Sequence, residues 1–303
     1  MELRQLRCFV AVAEELHFGR AARRLHLSQP PLTRTILQLE EELGVLLFER
    51  TKRRVELTLA GRALWEKATR ILSLSESAAT EVQRIAQGQA GTLSVSFVGS
   101  VVFGILPGIL REMRARFPEV EVKLHEMATD QQVEALLERQ TQAAFIRPGV
   151  VHSELESRVL LEEELLVALP VTHLLAEAAT VSMADLRNDR FILFPRQTHG
   201  SLGNRVLDLC HQEGFRPHVV QEALEMHTAL GLVAVGFAVT VLPVGVRLLD
   251  WPGVVLKSLP TPAPTIELAL AYRKDDASPV LPHFVALVQE MQGLDGPIGL
   301  SWK

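Results

Sequence analysis

The residues of this chain best suited to chemistry lie near its amino end, in Ser28-Gln29-Pro30-Pro31-Leu32-Thr33-Arg34, with Gln38 one turn further on. Ser28 is a good helix N-cap, and prolines in a first helical turn cost no hydrogen bond, because those N–H groups have no partner in the helix. Leu32, Ile36, Leu39 and Leu43 then form an apolar stripe, which leaves Gln29, Pro30, Thr33, Arg34 and Gln38 facing solvent. Glutamine and arginine at a helix start can reach base edges, and Ser28 and Thr33 are short donors suited to phosphate. The chemistry on offer is therefore non-covalent reading of a duplex. An ordinary small helical domain could carry the same polar face, so the elements around it have to decide.

Three helices are expected to position that face. The first runs from about Leu3 to Glu15, with Leu6, Phe9, Val10 and Ala13 inward. The second covers Phe18 to Leu25, where Ala21 and Ala22 allow close packing. The third begins after Ser28 and is closed by Gly44. Two helices joined by a tight turn, the second opening on a cationic polar face, make a helix-turn-helix. Leu47 to Thr58 reads as two short strands around a basic tip, a wing that places Arg50, Lys52, Arg53 and Arg54 beside the minor groove or the backbone. From Arg62 to about Gln87, Leu64, Ala68, Ile71, Ser75, Ala78, Val82 and Ile85 alternate in steps of four and three. That is a heptad seam, read here as a dimerisation helix; the alternative is an amphipathic helix packed on its own domain.

Charge follows the same division. Residues 1–62 carry 11 Lys+Arg against 8 Asp+Glu, and the remainder 20 against 28, a basic head on an acidic body. The length and the 48% hydrophobic content suffice for two or three cores. Cys8 and Cys210 stand alone, which favours neither a disulfide framework nor a zinc site, and the ten histidines form no ligand spacing. Neither a G-x-S-x-G nor a P-loop occurs, so no cofactor and no enzymatic activity are expected. The uncharged stretch Thr228 to Val246 is broken by Gly231, Gly236, Pro243 and Gly245 and reads as a buried helix, a glycine cap and a buried strand, not a membrane span. With no apolar leader after Met1, the expected compartment is the cytoplasm.

Beyond Gly91 the pattern becomes α/β. Strands are expected at Thr92–Val98, Val120–Glu126, Ala143–Ile146, Leu165–Leu169, Phe191–Phe194, Val219–Glu222, Phe237–Leu242 and Thr265–Tyr272, with Pro252–Pro264 rich in loop. Helices are expected over Val102–Phe117, from a cap at Thr129-Asp130 through Leu137, over Leu202–Gly214 with Ser201 as cap, and over Leu281–Gln292. Open α/β sheets bind ligands at the carboxyl ends of their strands, where Ser100 and Thr129 fall. The expected fold is α/β: a winged helix-turn-helix over residues 1–60, a linker helix over 61–88, and a two-lobed body. Lobe I takes residues 89–163 and 266–303, and lobe II takes 164–265. Two such lobes resemble periplasmic binding proteins.

The series Phe9, Phe18, Ala21-Ala22, Leu25, Ser28-Gln29-Pro30-Pro31-Leu32-Thr33, Ile36, Leu39-Glu40, Leu43-Gly44, Leu47-Phe48, Arg50, Leu57-Thr58 and Ala60-Gly61 resembles the LysR-type transcriptional regulators. The resemblance implies that Gln29, Pro30, Pro31, Thr33 and Arg34 face the major groove, with Arg50 and Arg53 in the wing. It implies a dimer of dimers on double-stranded DNA at an interrupted palindrome in a promoter, and contact with RNA polymerase. In the body, Phe97-Val98-Gly99-Ser100, Leu106-Pro107, Glu126-Met127-Ala128-Thr129, Gln132, Glu134-Ala135-Leu136 and Leu230-Gly231-Leu232-Val233-Ala234 resemble the activators of benzoate, catechol and chlorocatechol degradation. The implied effector is a small carboxylate, muconate-like or benzoate-like. Ser100 and Thr129 would hold one carboxylate, with Phe194, Pro195 and Ser201 across the cleft. His227 stands where a glutamine-like residue is expected, Arg196-Gln197-Thr198-His199 reshape a loop, and Arg147 matches an arginine near a second, more apolar pocket. The competing reading is a small-molecule-binding protein or enzyme with a helical appendage; a secretion signal or an active-site constellation would favour it, and the sequence displays neither.

Overall fold

Apolar residues at helical spacing build α1 (Leu3–Glu15), α2 (Phe18–Arg24) and α3 (Gln29–Leu43). In this computed structural model, which describes residues 1–50, 54–149, 152–196 and 200–292, the chain forms two units, Met1–Arg84 and Ile85–Lys303. The first unit closes around Leu6, Phe9, Val12, Leu32, Ile36, Leu39 and Phe48. Each such side chain contributes about 1.5–3 kcal/mol by leaving water. Phe48 is gripped by two rings, 5.4 Å from Phe9 and 5.9 Å from Phe18. The inner face of α1 is wider than its spacing suggests: Cys8, Ala11 and Val12 are buried, and Val10 is only half-buried. Leu16 and His26 both take left-handed backbone and reverse the chain between helices.

After α3 the wing strands β1 (Phe48–Arg50) and β2 (Val55–Leu57) pair antiparallel, Phe48 against Leu57 and Arg50 against Val55. The tip residues Thr51, Lys52 and Arg53 lie outside the described residues. Helix α4 (Leu59–Ala86) starts against the wing at Gly61, where a methyl group would strike the Leu47 carbonyl. Only Gly61 and Ala68 of α4 are buried. Val82 and Ile85, further along the heptad seam, are 66% and 45% exposed in the single chain.

In the second unit β3 (Ala90–Phe97), β4 (Glu119–Glu126) and β5 (Ala143–Ile146) run parallel, with β3 between the other two. Two further strands, β6 (Leu155–Pro170) and β11 (Thr265–Arg273), extend the sheet antiparallel in the order β6-β11-β5-β3-β4. Strand β6 is 16 residues long and runs on into a second core, where it pairs with β9 (Thr240–Pro243) and β10 (Val254–Ser258). Only its apolar end was expected as strand, because Glu156, Arg158, Glu162 and Glu164 interrupt the first half. The loop expected between Pro252 and Pro264 likewise contains β10. A separate parallel pair, β7 (Arg190–Leu193) and β8 (His218–Glu222), completes the strands among the described residues.

Two cores lie on this framework. One packs α5 (Ile105–Arg116) and α9 (Leu281–Gln292) on the parallel strands through Leu93, Val95, Ile109, Phe145 and Phe284. The other gathers Leu165, Val167, Phe191, Val206, Val241 and Leu242 with α7 (Leu202–Gln212) and α8 (Met226–Ala234). The opposite face of the parallel strands is covered by α6 (Thr129–Leu137). The uncharged stretch from Thr228 divides into α8, a left-handed Gly236 and β9. No helix among the described residues is long and apolar enough to cross a membrane.

Candidate DNA-reading surface and effector cleft

Helix α3 displays Ser28, Gln29, Pro30, Pro31, Arg34 and Gln38 to solvent, while Thr33 is half-buried and donates its hydroxyl to the Gln29 carbonyl at 3.1 Å. Ser28 occupies the N-cap in extended backbone, yet its side chain makes no capping bond. The reason is local: a capping hydroxyl accepts from the second or third helical N–H. Those positions are Pro30 and Pro31, which have no N–H. The Ser28 hydroxyl is therefore left for a partner outside the helix.

Arg50, expected to reach toward a duplex, is tied along the surface to Glu40 and Phe18. Its Nη2 lies 2.5 Å from Glu40 Oε2, and its guanidinium sits 5.0 Å from the Phe18 ring centroid. Glu40 is buried in α3 and also accepts from the backbone N–H groups of Leu47 and Phe48, at 2.8 and 3.1 Å. Sequence reasoning assigned Glu40 no role. Its spacing of four from Ile36 puts it on the buried stripe, in the place expected for Leu43, which is exposed. Arg54 is exposed and pairs with Glu56; Arg53 lies outside the described residues.

The second unit brings Ser100, Thr129 and Arg147 together at the carboxyl ends of β3, β4 and β5. Ser100 sits in a 3₁₀ turn (Gly99–Phe103), and Thr129 is the first residue of α6, whose cap is Ala128. All three are buried. The Arg147 backbone N–H donates to Thr129 Oγ1 at 3.3 Å, Nη2 donates to Ser100 Oγ at 2.6 Å, and Nη1 donates to the Glu267 carbonyl at 3.0 Å. Nη2 also lies 2.7 Å from Glu163 Oε2. Since Ser100 and Thr129 each accept a bond, their hydroxyl protons remain to donate.

These residues line one side of a cavity of about 520 Å³, and Phe194, Pro195 and Ser201 line the other. Ser201 caps α7, accepting from the Asn204 N–H at 3.1 Å. His227 is not part of the lining; Glu225 and Met226 are, and the next position of α8 points outward. Gln197, Thr198 and His199 lie outside the described residues. Arg147 also borders a second cavity of about 360 Å³, whose walls include Glu162, Asn204, Arg205, Asp208 and Glu267. Its walls carry charged side chains beside Pro148 and Ile266, where the resemblance implies a more apolar pocket. At the rim of the first cavity the Glu126 carboxyl is pushed up, first by loss of solvation and then by the hydrogen bond and charge of Glu225, with His227 opposing.

Comparison with known proteins fixes the family. Residues 3–62 match the bacterial regulatory helix-turn-helix protein, lysR family, and residues 86–293 match the LysR substrate binding domain. The chain belongs to the LysR family of transcriptional regulators. It is 39% identical over 285 residues to the HTH-type transcriptional regulator AlsR of Bacillus subtilis, covering 94% of each protein. It is 39% identical over 290 residues to the regulator CatR of Pseudomonas putida, covering 96% of this chain and 99% of that one. The crystal structure of the LysR-family regulator CbnR superposes with a TM-score of 0.86 at 35% identity, over 95% of this chain and 100% of that one. CbnR complexed with its target DNA superposes at 0.83 and 34% identity, over 96% and 99%. Family membership makes this LysR-type chain a DNA-binding regulator with an effector-binding domain, not an enzyme. Its helix-turn-helix contains α3, and its effector-binding domain contains the cavity above.

Proposed function

We propose that this LysR-type regulator activates transcription in response to a small carboxylate held between the two lobes. The observation that carries the reading is the joining of Ser100 and Thr129 by one buried arginine, Arg147, which leaves two hydroxyl donors at the cavity wall. A carboxylate there accepts from both hydroxyls at the positive end of the α6 dipole. Phe194 and Pro195 supply an apolar wall for the rest of the molecule. By resemblance, muconate and benzoate are the first compounds to test.

On the DNA side, Gln29 and Arg34 read bases, Ser28 and Thr33 hold phosphate, and Arg54 extends the contact from the wing. The exposed Val82 and Ile85 pair two copies along α4, and two such dimers span an interrupted palindrome. Contact with RNA polymerase, by resemblance, and a cytoplasmic location complete the reading. Calorimetry of the full chain with muconate and benzoate tests the cleft: binding by wild type that drops at least tenfold in Ser100→Ala is expected. No binding by either compound, or equal binding by the variant, removes the assignment. Footprinting of the regulated promoter with and without the bound compound tests whether the pattern of protection shifts.

A further inference from the structure

The cleft contains two acids that a carboxylate-binding role does not use. Glu126 ends β4 on the first lobe, and Glu225 precedes α8 on the second. Both line the cavity and both crowd Gly99, the neighbour of Ser100. A methyl group at Gly99 would strike Glu126 Oε1 and lie 3.5 Å from Glu225 Oε2. The two carboxyls lie close enough that Glu225 opposes ionisation of Glu126, so a proton on the pair is favoured over two facing negative charges. His227 in the first turn of α8, Asp130 in α6 and Arg147 after β5 are the other charged or titratable groups around the pair. Of these, His227 favours ionisation of Glu126.

We propose that Glu126 and Glu225 act as a charge filter on the effector, admitting a compound with one carboxylate and refusing a second carboxylate while the two acids are ionised. The filter rests on the cleft being the effector site. A lone carboxylate seats at Ser100 and Thr129 and leaves its apolar remainder against Phe194 and Pro195. A dicarboxylate of similar size brings its far end into the same cavity as the two acids, where like charges repel. It binds well only when a proton is taken up by the pair. The compound favoured at neutral pH is thus benzoate-like rather than muconate-like.

The test uses the full chain, with benzoate and cis,cis-muconate as probes, at about pH 5 and pH 8, a window that opens just above the ordinary carboxylate range. Calorimetry is run on wild type and on Glu225→Gln. Muconate is expected to bind wild type severalfold more tightly at the lower pH and to gain similarly in Glu225→Gln at the higher pH. Benzoate should change much less in both comparisons. Thermal unfolding without ligand provides a second arm. A proton held by the folded pair stabilises at low pH, and that stability is lost as pH rises through the raised pKa of Glu126. Wild type should therefore lose Tm relative to Glu225→Gln between the two conditions. Muconate binding that ignores both pH and the variant overturns the filter alone, as does an unchanged Tm difference. If neither probe binds either protein while the Tm difference persists, the carboxylate reading of the cleft falls, and the filter falls with it.

Discussion

Arg147 and Glu163 form an ion pair of 2.7 Å in which both side chains are buried, and the same arginine nitrogen reaches Ser100. The pair ties the end of β5 to β6, the long strand that enters both cores. Removing one partner leaves an unpaired buried charge, which costs about 3–5 kcal/mol, whereas replacing both with apolar groups is often neutral. Arg147→Met should therefore lower the urea midpoint of the effector-binding domain strongly, and Arg147→Met with Glu163→Leu should recover most of the loss. Equal losses in single and double variants would show that the ion pair is not what the arginine contributes.

Ser28→Ala separates capping from contact. Losing a working N-cap costs about 0.5–2 kcal/mol. Here Pro30 and Pro31 leave the Ser28 side chain without a capping bond. The variant should keep the Tm of wild type within a degree or so and bind every DNA sequence more weakly, as loss of a phosphate contact does. A drop in Tm would mean that the hydroxyl supports the helix after all.

Arg34→Ala should behave differently. A side chain that reads a base contributes about 1–3 kcal/mol of discrimination. Electrophoretic shifts with the operator and with a scrambled site should converge in the variant, with the operator losing most. Arg50→Ala should instead reduce stability, because it leaves Glu40 buried without its cation. Weakened DNA binding in Arg50→Ala is then expected to track the unfolded fraction.

How much of this was legible beforehand depends on range. The three head helices and the wing follow from local periodicity and caps, and their expected positions match the observed elements to within a few residues. Ser100 and Thr129 stood out because strand ends in α/β sheets collect ligands. The first half of β6 was hidden by its charges, since Glu156, Arg158 and the run Glu162 to Glu164 read as loop. The roles of Glu40 and Arg147 were not legible as such. Glu40 acts on residues seven to ten positions away, and Arg147 on residues 16 to 120 positions away. No local pattern encodes such distances. In Glu40 a signal did exist: a charged residue at helical spacing on an apolar stripe has to be satisfied or moved.

The two cysteines provide a check on the lobe II core. Burial pushes the Cys210 thiol up to about 12, and its side chain is inaccessible. The Cys8 thiol is also raised by burial, with Arg4 opposing. Because the thiolate is the nucleophile, native protein at about pH 8 should resist alkylation at both positions, and both should react once the chain is unfolded. Mass spectrometry after a timed pulse of iodoacetamide across a urea series would then report the two units separately, since Cys8 lies in the first and Cys210 in the second. Rapid labelling of Cys210 without denaturant would mean that α7 leaves its core far more often than the burial of Val206, Leu209 and Cys210 in that core allows.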